Sequence, residues 1–376
     1  MRPASARIFR PGGAPLSKFS PAAYDKGDAN ARREAMGVQQ NRAIIRLDYI
    51  RENARMLKSA AGGAGLCAVV KADAYGHGGP EVASALEREC DMFAVAIVEE
   101  GVELRVGGIA KDVLVLQPAL SEEEALRGAC SGLIMTVADC GDYALLLKTA
   151  EKYGLAIRCH IKLNTGMNRL GFDGREFREF CRGMLSDRIS VEGIYSHFYM
   201  PSDSGVTQLQ YDTFCGFLPL AEKTFGKLVK HISATGGILW GKYRLDMVRP
   251  GIGLYGYLPE GFAGALALKP AMAVWSTAVS SRKYRGGGAG YGAYSGGGTL
   301  SCVRCGYADG FFRRGGLGNV NALCMDSYVT CGKLEKYSDV CVFSDADGYA
   351  EKNGTISYEA LVSVGRRAVR IYEDNE

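Results

Sequence analysis

Ala68-Val69-Val70-Lys71-Ala72-Asp73-Ala74-Tyr75-Gly76-His77-Gly78-Gly79 is the stretch from which the chain is read. A short apolar, β-branched run ends on one lysine, and a glycine-rich turn follows with Tyr75 and His77 inside it. Apolar runs of this length bounded by glycines read as strands buried on both faces. A lysine where such a strand stops is half desolvated, and desolvation lowers an amine's pKa. An amine so lowered can attack a carbonyl and form a Schiff base. The plain alternative is a lysine that caps a strand end and reaches water.

Outward from this stretch the same rhythm recurs. Strands are predicted at 66–70, 92–98, 113–117, 133–137, 156–163, 189–197, 229–233 and 245–248. Helical patterns follow at 80–90, 122–129, 143–153 and 208–225, and another over 49–60 precedes the first strand. Strict βα alternation argues a parallel sheet, and eight units in about two hundred residues suit a closed (β/α)8 barrel, a TIM-like fold. An open doubly wound sheet is the alternative. In a barrel the active groups lie at the C-terminal ends of the strands. Lys71 follows the first predicted strand, Lys162 and Arg169 lie at and beyond the end of the fifth, and His197 ends the sixth. Thr235 and Arg249 follow the seventh and eighth. After Lys269-Pro270 short strands at 271–284, 299–306, 322–329 and 338–343 are separated by glycine clusters at 286–288 and 296–298. These predict a mostly β C-terminal domain. No helix follows either glycine cluster, so neither reads as a phosphate loop. The domain expectation is an N-terminal extension over 1–42, a barrel over 43–270 and the β domain over 271–376.

Composition narrows the class. The 376 residues are 47% apolar and 23% charged, with a net charge of +4. That charge is too slight to argue for nucleic acid or a membrane surface, and no run is long and apolar enough to span a bilayer. Twelve cysteines without a secretory signal read as reduced thiols in a cytosol. A structural zinc on Cys302, Cys305, Cys324 and Cys331 is the alternative, but the second pair has six residues between its members. No metal site is therefore expected. Prolines 3, 11, 15 and 21 interrupt the basic first stretch and spoil the amphipathic helix of a transit peptide. A loosely ordered extension is expected there.

Residues 69–78 resemble the pyridoxal-phosphate signature of the alanine racemases. In that family the lysine matching Lys71 holds the cofactor and the tyrosine matching Tyr75 contacts its phosphate. Ile161-Lys162-Leu163-Asn164-Thr165-Gly166-Met167-Asn168-Arg169-Leu170-Gly171 is similar to a second family segment. The resemblance gives Arg169 the cofactor's phenolic oxygen and the substrate carboxylate, and makes Lys162 a carbamylated lysine that orients it. His197, in Tyr195-Ser196-His197-Phe198, matches a histidine that hydrogen-bonds an arginine below the cofactor ring. That arginine matches Arg249, in Met247-Val248-Arg249-Pro250-Gly251-Ile252-Gly253, and faces the pyridine nitrogen. Arginine cannot accept a proton. It leaves the nitrogen unprotonated and the carbanion less delocalised, which favours reprotonation at Cα over decarboxylation or transamination.

The resemblance also assigns phosphate contacts to Tyr75, Gly251, Ile252 and Tyr358. It adds Thr235, where the family usually has serine after an asparagine that is Ala234 here. Stereoinversion needs acid–base groups on both faces of a planar carbanion. Lys71 is one, and Tyr291 in Gly290-Tyr291-Gly292 matches the family's catalytic tyrosine. Tyr307 falls at the site entrance and Met325 near the substrate carboxylate. The family arrangement further implies that Tyr291 and Met325 serve the other subunit of a head-to-tail homodimer. The implied activity is the interconversion of L- and D-alanine, supplying D-alanine for peptidoglycan. Three departures stand out: the tail in place of the usual strand before the barrel, the short glycine-rich loop 291–307, and the bulky 198–203 segment. These bear on pocket shape. A racemase of broader range or for serine or lysine, a barrel-type decarboxylase and a non-catalytic cofactor carrier stay open; the decarboxylase would carry an acid where this chain has Arg249.

Overall fold

The computed structural model describes residues 41–183, 185–315, 317 and 323–375. All eight expected barrel strands form: β2 (Gly65–Val69), β3 (Met92–Val95), β4 (Val113–Val115), β5 (Met135–Val137), β6 (Ile157–Lys162), β7 (Ile189–Tyr195), β8 (Val229–His231) and β9 (Met247–Val248). Their order is β4-β3-β2-β9-β8-β7-β6-β5, and the pairings along it are parallel. A parallel bridge from Leu114 to Ile134 joins the two ends. The sheet is therefore a barrel, and the open-sheet alternative falls away. β3, β4 and β5 are buried along their whole length, which is why each reads as an unbroken apolar run rather than an alternating one.

Two of the helices outside carry clear sequence signals. Helix α1 (Leu47–Ala60) buries Ile50, Ala54 and Leu57, an i, i+4, i+7 stripe. The Asp139 side chain accepts from the Asp142 N–H and forms a capping box at the head of the helix Cys140–Tyr153, which ends on Gly154 at φ 66°. Val98–Val106 is a helix, so the second strand stops three residues before its expected end. Glu99, Glu100 and Glu103 make that segment polar at helical spacing.

One correction concerns the approach to the barrel. The expected replacement of the preceding strand by a tail does not hold. Residues Arg42–Arg46 form strand β1, with Ala43 and Ile45 buried and the residues between them half-buried. This strand leaves the barrel aside and enters the C-terminal sheet. It pairs antiparallel with β10 (Met272–Lys283) and parallel with β16 (Val369–Glu373). The period-2 pattern is only five residues long and abuts α1, too short to stand out beside a helix start. The expectation for the tail itself lies outside the described residues up to position 40.

β10 also pairs with β13 (Thr299–Val303) and β15 (Asp339–Phe343), and β13 pairs with β14 (Tyr328–Cys331). Residues 318–322, at the start of an expected strand, lie outside the described set. Two strands of two residues each, β11 (Gly288–Ala289) and β12 (Gly292–Ala293), make a hairpin whose tip is Gly290-Tyr291. Gly290 has φ 55°, as the first tip position of a tight hairpin requires. Two helices, Ala346–Asn353 and Ser357–Ser363, complete the domain. Among the described residues no group of three or more His, Cys, Asp and Glu side chains could hold a metal ion, and no helix is long and apolar enough to cross a membrane.

Candidate active site

Strand β2 delivers Lys71 at the C-terminal mouth of the barrel. The backbone then does something no periodicity would suggest. Ala72, Asp73, Ala74 and Tyr75 have φ of 52°, 55°, 51° and 53°, a full turn of left-handed helix without a glycine in it. Each such residue costs roughly 1–2 kcal/mol, so the turn stores on the order of 4–8 kcal/mol that its surroundings must offset. Ala74 N–H donates to the Val70 carbonyl at 2.9 Å and Gly76 N–H to that of Ala72 at 3.0 Å. The carboxylate of Glu100 accepts from the N–H of Ala72 and of Ala96, both at 2.7 Å, pinning the turn to the end of β3. Asp73 accepts from Gly79 N–H at 2.7 Å and pairs with Arg370 on β16.

The result is a short path between two functional groups. The Lys71 amine is lowered first by burial, then by the charges of Arg169 and Arg249, against a raising pull from Glu100. Tyr75 lies 7% exposed, its ring 4.8 Å from that of Tyr255 and 6.1 Å from that of Tyr358. Its hydroxyl stands so close to Gly251 that a methyl group there would collide with it. The N–H groups of Gly251 and Gly253 reach the Thr235 hydroxyl at 3.4 and 3.3 Å. Tyr75, Thr235 and the 251–253 backbone thus form one small cradle of donors, of the kind that suits a phosphate.

Arg249 is buried, 3% exposed. Its Nη1 is 2.6 Å from His231 Nδ1, and its Nη2 donates to the carbonyls of Ser196 at 2.5 Å and Ile232 at 3.3 Å. The histidine bonded to this arginine is therefore His231, and the role expected for His197 goes to the neighbouring strand. Guanidinium groups only donate, so His231 Nδ1 accepts and its proton sits on Nε2. That Nε2 is 2.9 Å from His160 Nδ1, which must accept in turn. Burial and the Arg249 charge push both rings far toward the neutral form, His160 to about 3. Tyr195 stacks on His231 with centroids 5.0 Å apart and planes 1° from parallel. Among the described residues no carboxylate pairs with Arg249; burial lowers its pKa, and Tyr195 and Cys67 raise it.

His197 still belongs to the cluster. Burial, Arg249, Lys162, Arg169 and Lys71, in that order, hold its ring well below the usual imidazole range. Lys162, at the end of β6, lies over the Tyr195 ring at 4.5 Å and is 5% exposed. Burial, then Arg249 and Arg169, bring its amine down to about 7. Arg169 itself is exposed, beyond the strand. Tyr358 stands on the helix Ser357–Ser363, with burial pushing its hydroxyl up to about 12. The structure thus brings Lys71, Tyr75, Lys162, Arg169, His197, Thr235, Arg249, Gly251, Ile252 and Tyr358 to one end of the barrel. Two lysines and two arginines meet there beside Glu100, an arrangement that suits an anionic ligand.

Three expected residues are placed differently. Tyr291 is 83% exposed at its hairpin tip, Met325 53% and Tyr307 38%, all on the C-terminal domain. Tyr307 N–H donates to Cys324 O and Ala308 N–H to Met325 O, both at 3.0 Å, so Tyr307 and Met325 are neighbours. Glu100, His160, Tyr195 and His231 are the site residues that sequence reasoning missed. A signal existed for the histidines: the chain has four, and the three at 160, 197 and 231 all sit on or just after predicted barrel strands.

Residues 45–259 match the model of the alanine racemase N-terminal domain. The chain belongs to the alanine racemase family. An alanine racemase of Methanococcus maripaludis is 33% identical over 81% of this chain and 91% of its own length. One of Cutibacterium acnes is 33% identical over 88% and 97%. Among solved structures, the alanine racemase of Clostridium difficile superposes with a TM-score of 0.82 at 31% identity, covering 89% of this chain and 96% of that one. Membership extends across both the barrel and the β domain, the plan expected from the alternation of elements.

Proposed function

We propose that this member of the family is an isomerase that interconverts L- and D-alanine with pyridoxal 5'-phosphate as cofactor, Lys71 and Tyr291 being its two acid–base groups. The observation that carries the reading is the convergence of a depressed amine, a donor cradle and a buried arginine that has no carboxylate partner among the described residues. These residues fit the cofactor. Lys71 would hold its aldehyde carbon, and Tyr75, Thr235, Gly251, Ile252 and Tyr358 its phosphate. Arg169 would meet the phenolic oxygen and the substrate carboxylate, and Arg249 the ring nitrogen. When bound, the cofactor supplies an electron sink that makes the substrate's Cα–H acidic.

The chain's own groups then decide what happens to that proton. Lys71, with its lowered proton affinity, takes it from one face or returns it there. Tyr291 does so on the opposite face. Arg249 stays charged, because its neighbours His231 and His160 are neutral rings and offer it no base stronger than an imidazole. It gives the ring nitrogen no proton, which limits delocalisation and favours return of the proton to Cα. A barrel-type decarboxylase needs an acid at this place. Tyr291 is exposed in the single chain, so a head-to-tail homodimer is proposed in which each subunit lends Tyr291 and Met325 to its partner's site, with Tyr307 at the entrance.

The direct test is purified protein with pyridoxal phosphate and L-alanine. Optical rotation is expected to decay to zero at constant total alanine. Release of CO2 without racemisation would overturn the reading.

Lys162 is proposed to carry a carbamate. An amine whose pKa is brought down to about 7 is about half unprotonated in a neutral buffer, and that form adds to CO2, releasing one proton. The product is an anion between Arg169 and Arg249, which turns two repulsions into attractions. With 13C-bicarbonate, NMR should reveal a protein-bound carbamate carbon that is missing from Lys162→Arg. The signal should grow as pH rises through about 7, because only the unprotonated amine reacts. A signal equal in both proteins would place the carbamate elsewhere.

A further inference from the structure

We propose that His77 is a positioning residue: its Nδ1–H holds the left-handed turn from Ala72 to Tyr75 in the shape that aims Lys71 and Tyr75 at one ligand. The proposal rests on the reading of those two residues as the cofactor-binding pair. The His77 side chain is completely buried. Its Nδ1 lies 3.0 Å from the carbonyl oxygen of Ala74 and 3.0 Å from that of Tyr75. Carbonyls only accept, so the ring proton is on Nδ1 and is shared between them. Nε2 is then a bare acceptor, and it has no hydrogen-bond partner among the described residues. An unpaired buried acceptor is a cost that an apolar side chain of similar size would avoid. What the histidine brings in exchange is the Nδ1–H alone. Burial keeps the ring neutral, with its pKa down at about 4, so the donor is present without a charge.

The Ala74 oxygen also accepts from the N–H of His77 at 3.1 Å, with the Gly76 N–H directed at it as well. The other braces of the turn act elsewhere. Glu100 binds the N–H of Ala72, and Arg370 reaches Asp73 and, at 3.1 Å, the Gly76 carbonyl. His77 is the brace from the core side. Its ring centroid is 4.5 Å from that of Tyr255, whose own ring packs on Tyr75 and whose hydroxyl donates to the Val69 carbonyl at 3.0 Å. One buried imidazole thereby links the turn that follows Lys71, the ring of Tyr75 and the end of β2.

The test compares three variants of the full chain. His77→Asn puts an amide N–H where Nδ1 was, His77→Gln puts it where Nε2 was, and His77→Leu removes it. Two readouts are taken: hydrogen exchange of peptides covering 70–79 before cofactor is added, and the Kd for pyridoxal phosphate by absorbance titration. The Gln and Leu variants should lose protection and cofactor affinity by about tenfold, the scale of one hydrogen bond, and Asn should retain both. In kinetics the Asn variant should restore kcat. Unfolding of Gln and Leu with a folded, protected Asn variant also supports the donor role. Equal behaviour of all three, whether wild-type-like, impaired or unfolded, overturns it. If the unaltered protein takes up no cofactor, the functional reading fails, while the exchange data still judge His77.

Discussion

Lys71→Ala is expected to abolish racemisation and to remove the visible absorbance of lysine-bound pyridoxal phosphate, leaving the fold intact. The amine is lowered in proton affinity by burial and by the charges of Arg169 and Arg249. It is thereby prepared both to bind an aldehyde and to move a proton. Loss of a positioned acid–base group alone costs about 10²–10⁴-fold, and the same substitution also removes the covalent anchor. Racemisation should therefore fall by at least about 10⁴-fold. Removing one cation from beside two others relieves repulsion, so the thermal midpoint should not drop. The check is the spectrum after dialysis together with a melt. A variant that keeps the visible band would show that another amine holds the cofactor.

Tyr291→Phe should produce the second largest loss, about 10²–10⁴-fold in racemisation, with cofactor binding untouched. The residue stands at the tip of the β11–β12 hairpin, 83% exposed, so deleting its hydroxyl disturbs no packing within the chain. With one face still served by Lys71, the variant should exchange the α-proton of one enantiomer with solvent faster than that of the other. Equal and negligible losses in both directions would remove Tyr291 from the mechanism. The same variant tests the dimer. Mixing it with Lys71→Ala and allowing subunits to exchange should restore about a quarter of the normal activity, because each mixed dimer has one intact site. No recovery after demonstrated exchange would place both groups in one chain.

The barrel was legible because its physics is periodic. Strands such as 113–115 are buried on both sides and spell themselves out as apolar runs between helical stripes. Lys71, Arg249 and Thr235 were legible as polar residues that interrupt such runs at strand ends. The left-handed turn was not, since Ala72 and Ala74 are residues of no such preference, and contacts with Glu100, His77, Gly79 and Arg370 hold the turn there. His231 was missed for a related reason: its pairing with Arg249 joins residues 18 apart on adjacent strands, and spacing along the chain does not encode side-chain direction. β1 was missed because five residues of alternation beside a helix start carry too little pattern, and its partners lie more than two hundred residues away.

The central claim is that the amine at position 71, and no other, holds the cofactor. Lys162 is the proper competitor, since its amine is brought down to about 7 in the same barrel mouth. Borohydride reduction of the pyridoxal-phosphate-loaded protein, followed by peptide mass mapping, distinguishes them. The account predicts one phosphopyridoxyl group per chain, on Lys71. The same group found on Lys162, or on no barrel lysine at all, would contradict it.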